Sequence, residues 1–328
     1  GHAHLDMDWM WSYPETVAST LATFRTVLNL MEQYPEFCFS QSQASVYKMV
    51  EEYDPELMEE IKVRIAEGRW EVTASQWVET DKNMPSTESL LRHIEYTKNY
   101  LRDTWEVVPD SLRIDFSPDT FGHSAFIPEI DAFGGVKYMY HCRALDGEPS
   151  LYRWKAPSGR EILVYREQYW YNSGIVPKIG LGLIDISKTC GGFKTGLIVY
   201  GVGDHGGGPT RKDIERIIDM QSWPVAPTIF FSTYKRYFAS VEAYKENFPV
   251  VTGELGPTFT GCYSSQSKVK MANRIGEDRL FMAEAVTAFA VEKTGMPDYN
   301  AQFEVAWERI LFNQFHDILP GSNTPDSR

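Results

Sequence analysis

Residues 112–140, LRIDFSPDTFGHSAFIPEIDAFGGVKYMY, contain two apolar strand-like segments separated by a helical one. The pattern predicts a strand over 112–116, a helix over 126–133 and a strand over 137–140. Strand, helix and strand in this order are typical of a βαβ unit, whose two strands are parallel. Toward the N-terminus the same alternation predicts helices over 14–34, 54–68 and 89–101, and strands over 37–40 and 70–73.

This alternation predicts an α/β fold with a mostly parallel sheet flanked by helices. Residues 152–165 are expected to form a hairpin, because a Pro-Ser-Gly turn at 157–159 separates two strand-like runs. The apolar segment 197–200 predicts one further strand. In sheets of this kind, ligands bind beyond the carboxyl ends of the strands, which is where Asp119 is expected.

From about residue 264 the pattern changes to long helices, with Leu280, Ala283, Val286 and Phe289 on one face. We therefore expect a domain boundary near residue 255. The α/β domain would cover residues 1–255, and the first part of a helical domain would cover residues 256–328.

Composition limits the classes of partner. The net charge of −13 argues against a nucleic acid, and no apolar run is long enough to span a bilayer. The four cysteines are scattered and lack the spacing of a metal cluster, so we interpret them as reduced thiols, mostly buried. This pattern favours a cytoplasmic protein.

The opening of the chain carries His4 and Asp6, which point to the same side of an extended segment because they are two residues apart. An imidazole and a carboxylate together suit zinc. The alternative is that both side chains only cap backbone groups at the end of a strand.

Other polar residues also allow a structural interpretation beside a functional one. Asp119 follows a predicted strand, although an aspartate there could simply cap the next helix. The glycine-rich run 203–208 lacks the residues of a phosphate-binding loop, so we interpret it as a turn that positions Asp204 at the cleft. His316 and Asp317 are predicted at a helix end, where a capping role is the alternative. His93 is predicted to lie on a solvated helix face.

Taken together, these segments resemble glycoside hydrolase family 38, the zinc-dependent retaining α-mannosidases. The resemblance extends over nearly the whole chain and is closest to the bacterial and cytosolic branch. It rests on the following segments: His2-Ala3-His4-Leu5-Asp6-Met7-Asp8-Trp9, Asp119-Thr120-Phe121-Gly122-His123-Ser124, Phe315-His316-Asp317, Gly68-Arg69-Trp70-Glu71, Trp77-Val78-Glu79, Pro85-Ser86-Thr87-Glu88-Ser89, Cys262-Tyr263-Ser264-Ser265-Gln266 and Gly203-Asp204-His205-Gly206-Gly207-Gly208-Pro209.

The resemblance implies a seven-stranded β/α barrel-like arrangement followed by the start of a helical bundle. Family members continue past the equivalent of Asp317 into later domains, so we expect a catalytic-region fragment without the later β-domains. The implied substrate is a mannose-containing oligosaccharide, and self-association into a homo-oligomer is compatible with the sequence.

The resemblance also implies roles for individual residues. One zinc ion per chain would be bound by His4, Asp6, Asp119 and His316. Asp119 would also be the nucleophile, and Asp204 the general acid/base. The sugar would be contacted by Trp9, Asp317 and His205.

Two other functions stay open at this point. His2 and His4 form the His-x-His pair of metal-dependent amidohydrolases and deacetylases, which would require further histidines such as His141 or His205 at later strand ends. A catalytically silent sugar-binding fragment is the third reading, since a partial chain could retain zinc without turnover.

Overall fold

The computed structural model describes residues 1–145, 149–176, 184, 188–189, 193–224, 227–256 and 258–324. Within these ranges the strands are β1 Phe39–Gln41, β2 Trp70–Val72, β3 Ile114–Ser117, β4 Tyr138–His141, β5 Leu151–Lys155, β6 Glu161–Arg166 and β7 Val250–Thr252. The α-helices are α1 Tyr13–Gln33, α2 Ala44–Tyr53, α3 Pro55–Ala66, α4 Thr87–Trp105, α5 Ile127–Phe133, α6 Arg211–Gln221, α7 Tyr234–Glu242, α8 Ser267–Thr294 and α9 Asn300–Asn313.

The larger sheet has the strand order β3-β4-β6-β5-β7 and is parallel except for the β5–β6 hairpin. The smaller sheet pairs β1 with β2, also in parallel. The predicted α/β class and the predicted hairpin are therefore confirmed. The seven-stranded barrel is not, because the strands of the described residues lie in two separate sheets.

The prediction of a strand over 197–200 is wrong. Only Tyr200 forms a bridge, to Ser173. The preceding backbone groups are bound by side chains instead: the Tyr165 hydroxyl donates to the Leu197 carbonyl at 2.6 Å, and the Val199 amide donates to Glu167 at 3.4 Å. Residues 197–199 therefore do not enter a ladder, although they are apolar.

The core beside the small sheet is aromatic. Phe24 of α1 packs edge-on against Trp70 of β2, with ring centroids 5.0 Å apart, and Phe39 of β1 contacts the same indole at 4.8 Å. Helix α1 begins with a capping box, in which Ser12 and Glu15 satisfy each other's free backbone amides. Helix α2 was not predicted from the sequence.

The helical segment packs on α4, and this contact corrects one prediction. His93 lies fully buried rather than solvated, and its Nε2 is 3.1 Å from Oε1 of Gln314. On α9, Trp307 stacks with the guanidinium of Arg92 at 4.3 Å. The face of α4 that looks polar in sequence is thus covered by residues more than 200 positions away.

The late helices, the cysteines and the absence of a membrane span were also predicted from the sequence. The long helices after residue 264 are confirmed, but Val286 and Phe289 remain about two-thirds exposed. Cys38 and Cys142 are buried, free thiols, whereas Cys190 lies outside the described residues. None of the described helices is both long and apolar enough to cross a membrane.

A buried ion pair joins the loop after β2 to β3. Lys82 contacts Asp115 at 2.7 Å, and both side chains are fully buried. Ser117 donates to the other oxygen of Asp115 at 2.7 Å. On α5, burial and then the neighbouring Asp115 raise the pKa of Asp131 well above its ordinary value. Lys82 is therefore the cation that compensates the charge at this point of the core.

We predict that Lys82→Met destabilises the protein by about 3–5 kcal/mol, because it leaves the Asp115 carboxylate buried without its partner. Urea denaturation followed by circular dichroism measures the free energy of unfolding. The control is Arg102→Met, which removes a surface ion pair with Asp103 and should leave that free energy almost unchanged. Equal effects of the two substitutions would contradict the prediction.

Candidate active site

The first residues of the chain bring His4 and Asp6 into the interior. The segment lies beside β1, where His2 forms a parallel bridge with Ser40. On its other side the Asp6 amide donates to the Asp204 carbonyl at 2.9 Å. An extended segment held along both edges presents His4 and Asp6 on one face, as the spacing predicts.

Asp119 and His316 come from distant parts of the chain. Asp119 follows the carboxyl end of β3. His316 follows α9 and is held by antiparallel pairing, in which Thr80 bridges Phe315 and the Asp81 amide donates to the Gln314 carbonyl at 2.9 Å.

The structure brings these four residues together. One ligand atom from each of His4, Asp6, Asp119 and His316 lies within 4.8 Å of the others, and all four are buried. Nε2 of His4 is 2.8 Å from Asp6 and 3.9 Å from Asp119. Nε2 of His316 is 3.7 Å from Asp6 and 4.0 Å from Asp119. The sequence-predicted set is therefore one cluster.

The chemistry of the cluster fits a divalent cation. Nε2 of His316 is fully buried, faces carboxylate oxygens beyond hydrogen-bond distance, and makes no hydrogen bond within the described residues. Two imidazoles and two carboxylates are ligands that zinc commonly takes. The group can thus hold a metal ion with one atom from each residue.

The pKa shifts reflect the negative potential of the cluster. Burial alone would lower the pKa of His4, but the Glu79 and Asp6 carboxylates raise it well above its ordinary value. Burial likewise opposes the charged form of His316, yet Asp6 and Asp317 bring its pKa to about 9. Burial would raise the pKa of Asp6, but the two imidazoles lower it to about 2. Such a potential attracts a cation.

Two residues that contact Asp119 were missed in the sequence. The Nε of Arg143 forms an ion pair with Oδ1 of Asp119, while Oδ2 faces the two histidines. Burial, together with the Asp119 charge, raises the pKa of the Tyr171 phenol, whose ring lies 4.7 Å from that of His4. Neither residue belongs to a short motif, so no sequence signal identifies them.

Asp204 lies next to the cluster through its backbone. Its loop requires glycine at positions 201 and 203, because a side chain there would clash. A Cβ at Gly201 would be 2.1 Å from the His2 carbonyl, and one at Gly203 would be 2.7 Å from the Asn172 side chain. Asp204 itself has a positive φ of 57°. Its side chain is 31% exposed and contacts the His205 imidazole. The loop therefore approaches the first segment closely and leaves the carboxylate accessible.

Trp9, Asp317 and His205 are the residues expected to contact the substrate. Trp9 is half-buried and packs edge-on with Trp11 at 5.5 Å, and Trp11 lies 6.1 Å from the exposed His205. Asp317 is buried beside His316, at 3.8 Å, and accepts a hydrogen bond from Ser322 at 2.6 Å. Burial raises the pKa of Asp317 to about 7.

The remaining histidines do not join the four-residue cluster. Nδ1 of His2 lies 2.9 Å from the Ser40 carbonyl oxygen. His2 belongs to a second possible metal-binding group, with Glu79 and with His4, which the two groups share. His141 is 2.7 Å from the Tyr152 hydroxyl. Within the described residues, the four-residue cluster thus lacks the additional histidine ligands that the amidohydrolase hypothesis requires.

Comparison with known proteins identifies the family to which the chain belongs. Residues 1–254 match the glycosyl hydrolases family 38 N-terminal domain, and residues 257–327 match the alpha mannosidase middle domain. Alpha-mannosidase G of Dictyostelium discoideum is 32% identical over 98% of this chain and 30% of its own length. Alpha-mannosidase 2C1 of Homo sapiens is 28% identical over 98% of this chain and 31% of its own length.

The crystal structure of an alpha-mannosidase from Enterococcus faecalis V583 has the same fold, with a TM-score of 0.84 and 24% identity, covering 100% of this chain and 39% of that one. The chain spans about a third of the length of the curated relatives it matches. Since the family match covers most of its residues, the chain belongs to glycosyl hydrolase family 38.

Proposed function

We propose that this chain supplies the catalytic centre of a retaining α-mannosidase that removes terminal α-linked mannose from glycans. The observation that carries the proposal is the buried convergence of His4, Asp6, Asp119 and His316 in a chain of family 38. The relatives bearing the name alpha-mannosidase support the same reaction.

The proposed cofactor is one zinc ion, bound by those four residues. The donor set of two imidazole nitrogens and two carboxylate oxygens supports zinc, which accepts both ligand types. When bound, zinc would orient neighbouring sugar hydroxyls and help to hold the distorted ring.

Asp119 is the proposed nucleophile. Arg143 pairs with its Oδ1, and this ion pair holds the carboxylate in place. Attack of this carboxylate on the anomeric carbon would form a glycosyl-enzyme intermediate, and hydrolysis of that intermediate would restore the original configuration. A nucleophile must be rigidly aimed, which burial and the ion pair support.

Asp204 is the proposed general acid/base. It would protonate the leaving oxygen and later accept a proton from the attacking water. Partial exposure of its carboxylate supports this role, because both the leaving group and the water reach the site from solvent.

Sugar binding is assigned to Trp9, Asp317 and His205. The half-buried indole of Trp9 offers an apolar face for a sugar ring, and the exposed His205 imidazole contacts Asp204. Asp317, adjacent to His316, is suited to hydrogen-bond sugar hydroxyls.

The division of the chain at residue 255, the cytoplasmic location and self-association stay predictions. Turnover distinguishes an enzyme from a catalytically silent sugar-binding fragment. The full-length protein should hydrolyse aryl α-mannosides, and it should no longer hydrolyse them once a chelator has removed the metal ion.

The first prediction from the proposed function concerns zinc. The protein should bind one zinc ion per chain, and His316→Gln should lose most of that binding because one of four ligands is removed. Elemental analysis after dialysis measures the stoichiometry. The matched control is His205→Gln, an exposed imidazole outside the cluster, which should retain wild-type zinc. Full zinc content in His316→Gln would contradict the ligand set.

The second prediction concerns Asp119. Asp119→Asn should abolish turnover and weaken zinc binding together, since one side chain serves as nucleophile and ligand. Activity on aryl α-mannosides and zinc content are measured on the same preparation. Retention of either property at the wild-type level would separate the two roles and argue against the double assignment.

The third prediction concerns Asp204. Asp204→Asn should retain zinc and slow hydrolysis of mannosides with poor leaving groups by about 10²–10⁴-fold, the usual contribution of general acid catalysis. Activated aryl mannosides need little protonation and should be affected far less in the glycosylation step. Pre-steady-state release of the aryl group measures that step. Equal slowing of both substrate classes would show that another group is the acid.

A further inference from the structure

Both histidines of the cluster make their second contact with the same residue. Nδ1 of His4 lies 2.9 Å from the carboxylate oxygen Oε2 of Glu79. Nδ1 of His316 lies 2.6 Å from the backbone carbonyl oxygen of Glu79. Glu79 thus uses its side chain for one imidazole and its main chain for the other.

Glu79 is itself held firmly. Its other carboxylate oxygen accepts a hydrogen bond from the Ser42 hydroxyl at 2.6 Å, and its amide donates to Oε1 of Gln43 at 3.0 Å. The Nε2 of Gln43 donates to the Leu5 carbonyl at 2.8 Å, within the segment that carries His4. The Glu79 side chain is 1% exposed. Its position relative to both histidines is therefore set by the core.

These contacts determine which ring nitrogen carries the proton in a neutral imidazole. The Glu79 carbonyl oxygen only accepts hydrogen bonds, so Nδ1 of His316 must donate to it. The ion-pair contact of the Glu79 carboxylate with Nδ1 of His4, at 2.9 Å, favours a proton on that nitrogen as well. The lone pair is then on Nε2, the nitrogen that faces Asp6 and Asp119 in both rings. A histidine ligand is commonly oriented in this way by an acceptor on its other nitrogen.

We infer that Glu79 is a positioning residue for the metal centre: through its carboxylate and its carbonyl it holds His4 and His316 in the tautomer that offers Nε2 to the ion. The inference rests on the proposed zinc site and extends it to a residue outside the four ligands. It also accounts for the burial of a carboxylate that has no part in the proposed reaction.

The two contacts respond differently to substitution. Glu79→Met removes the acceptor of His4 and leaves the carbonyl that binds His316. Loss of such an outer partner typically weakens metal binding 10–100-fold. A purely structural role of Glu79 would instead disturb both histidines together.

The experiment compares wild type, Glu79→Met and the matched control Glu71→Met, each as the full chain. Glu71 also accepts a hydrogen bond from a serine of the neighbouring strand, Ser40, at 2.8 Å, but none of its described hydrogen bonds involves an imidazole. Zinc affinity is measured by competition with a chelator. The ring nitrogens are observed by NMR of protein carrying ¹⁵N-labelled histidine.

We expect Glu79→Met to bind zinc 10–100-fold more weakly than wild type, with altered His4 signals and unchanged His316 signals. Glu71→Met should retain wild-type affinity. Zinc affinity of Glu79→Met within twofold of wild type, or equal changes at both histidines, would overturn the inference. If wild type itself binds no zinc, the proposed metal site is wrong and the inference fails with it.

Wild-type protein provides a test that does not depend on the variant folding. Its spectrum should show a protonated Nδ1 on both His4 and His316 in the presence of zinc, assigned through His4→Gln and His316→Gln. An unprotonated Nδ1 on either ring would overturn the inference directly.

Discussion

The pairing of residues 79–81 with residues 314–316 is the interaction on which the candidate site depends. It attaches the chain after α9 to the loop after β2 through main-chain hydrogen bonds, including the Asp81 amide to the Gln314 carbonyl. Register in such a ladder is fixed, since a slip of one residue would turn His316 to the opposite side. The same stretch supplies the carbonyl and carboxylate of Glu79 that contact the two imidazoles.

Electrostatics limits what else can occupy this interior. Asp6, Asp119, Asp317 and Glu79 are all less than 10% exposed, and carboxylates buried this close raise one another's pKa unless cations lie among them. On the Asp119 side the compensation is visible as Arg143. Around the other carboxylates, the positive charge comes from the His4 and His316 imidazoles, whose pKa values are raised by these carboxylates. Exchanging those protons for a bound cation would serve the same electrostatic need.

Residues that form short motifs can be predicted from the sequence, whereas residues that reach the site from distant positions cannot. The spacing of His4 and Asp6 and the α/β alternation are predictable from the sequence, because both depend on local periodicity. His93 was misplaced because its covering partner, Gln314, follows it by more than 200 residues. Arg143 was missed for a related reason, since its contact with Asp119 depends on how β3 and β4 lie side by side.

The strand expected over 197–200 shows where periodicity stops being informative. An apolar run specifies burial, but a strand also needs a neighbour with free backbone groups, and here Tyr165 and Glu167 provide side-chain partners instead. The consequence reaches the site, because the chain continues from Tyr200 into the glycine-rich loop, where isolated bridges and single hydrogen bonds to Ser173, His2 and Asp6 take the place of a strand. The proposed acid/base at Asp204 thus lies on a loop, whereas the proposed nucleophile is fixed at the end of β3. The loop is nevertheless attached to the cluster, because the Asp204 carbonyl accepts a hydrogen bond from the Asp6 amide at 2.9 Å, and this contact sets the position of the proposed acid/base relative to the ligands.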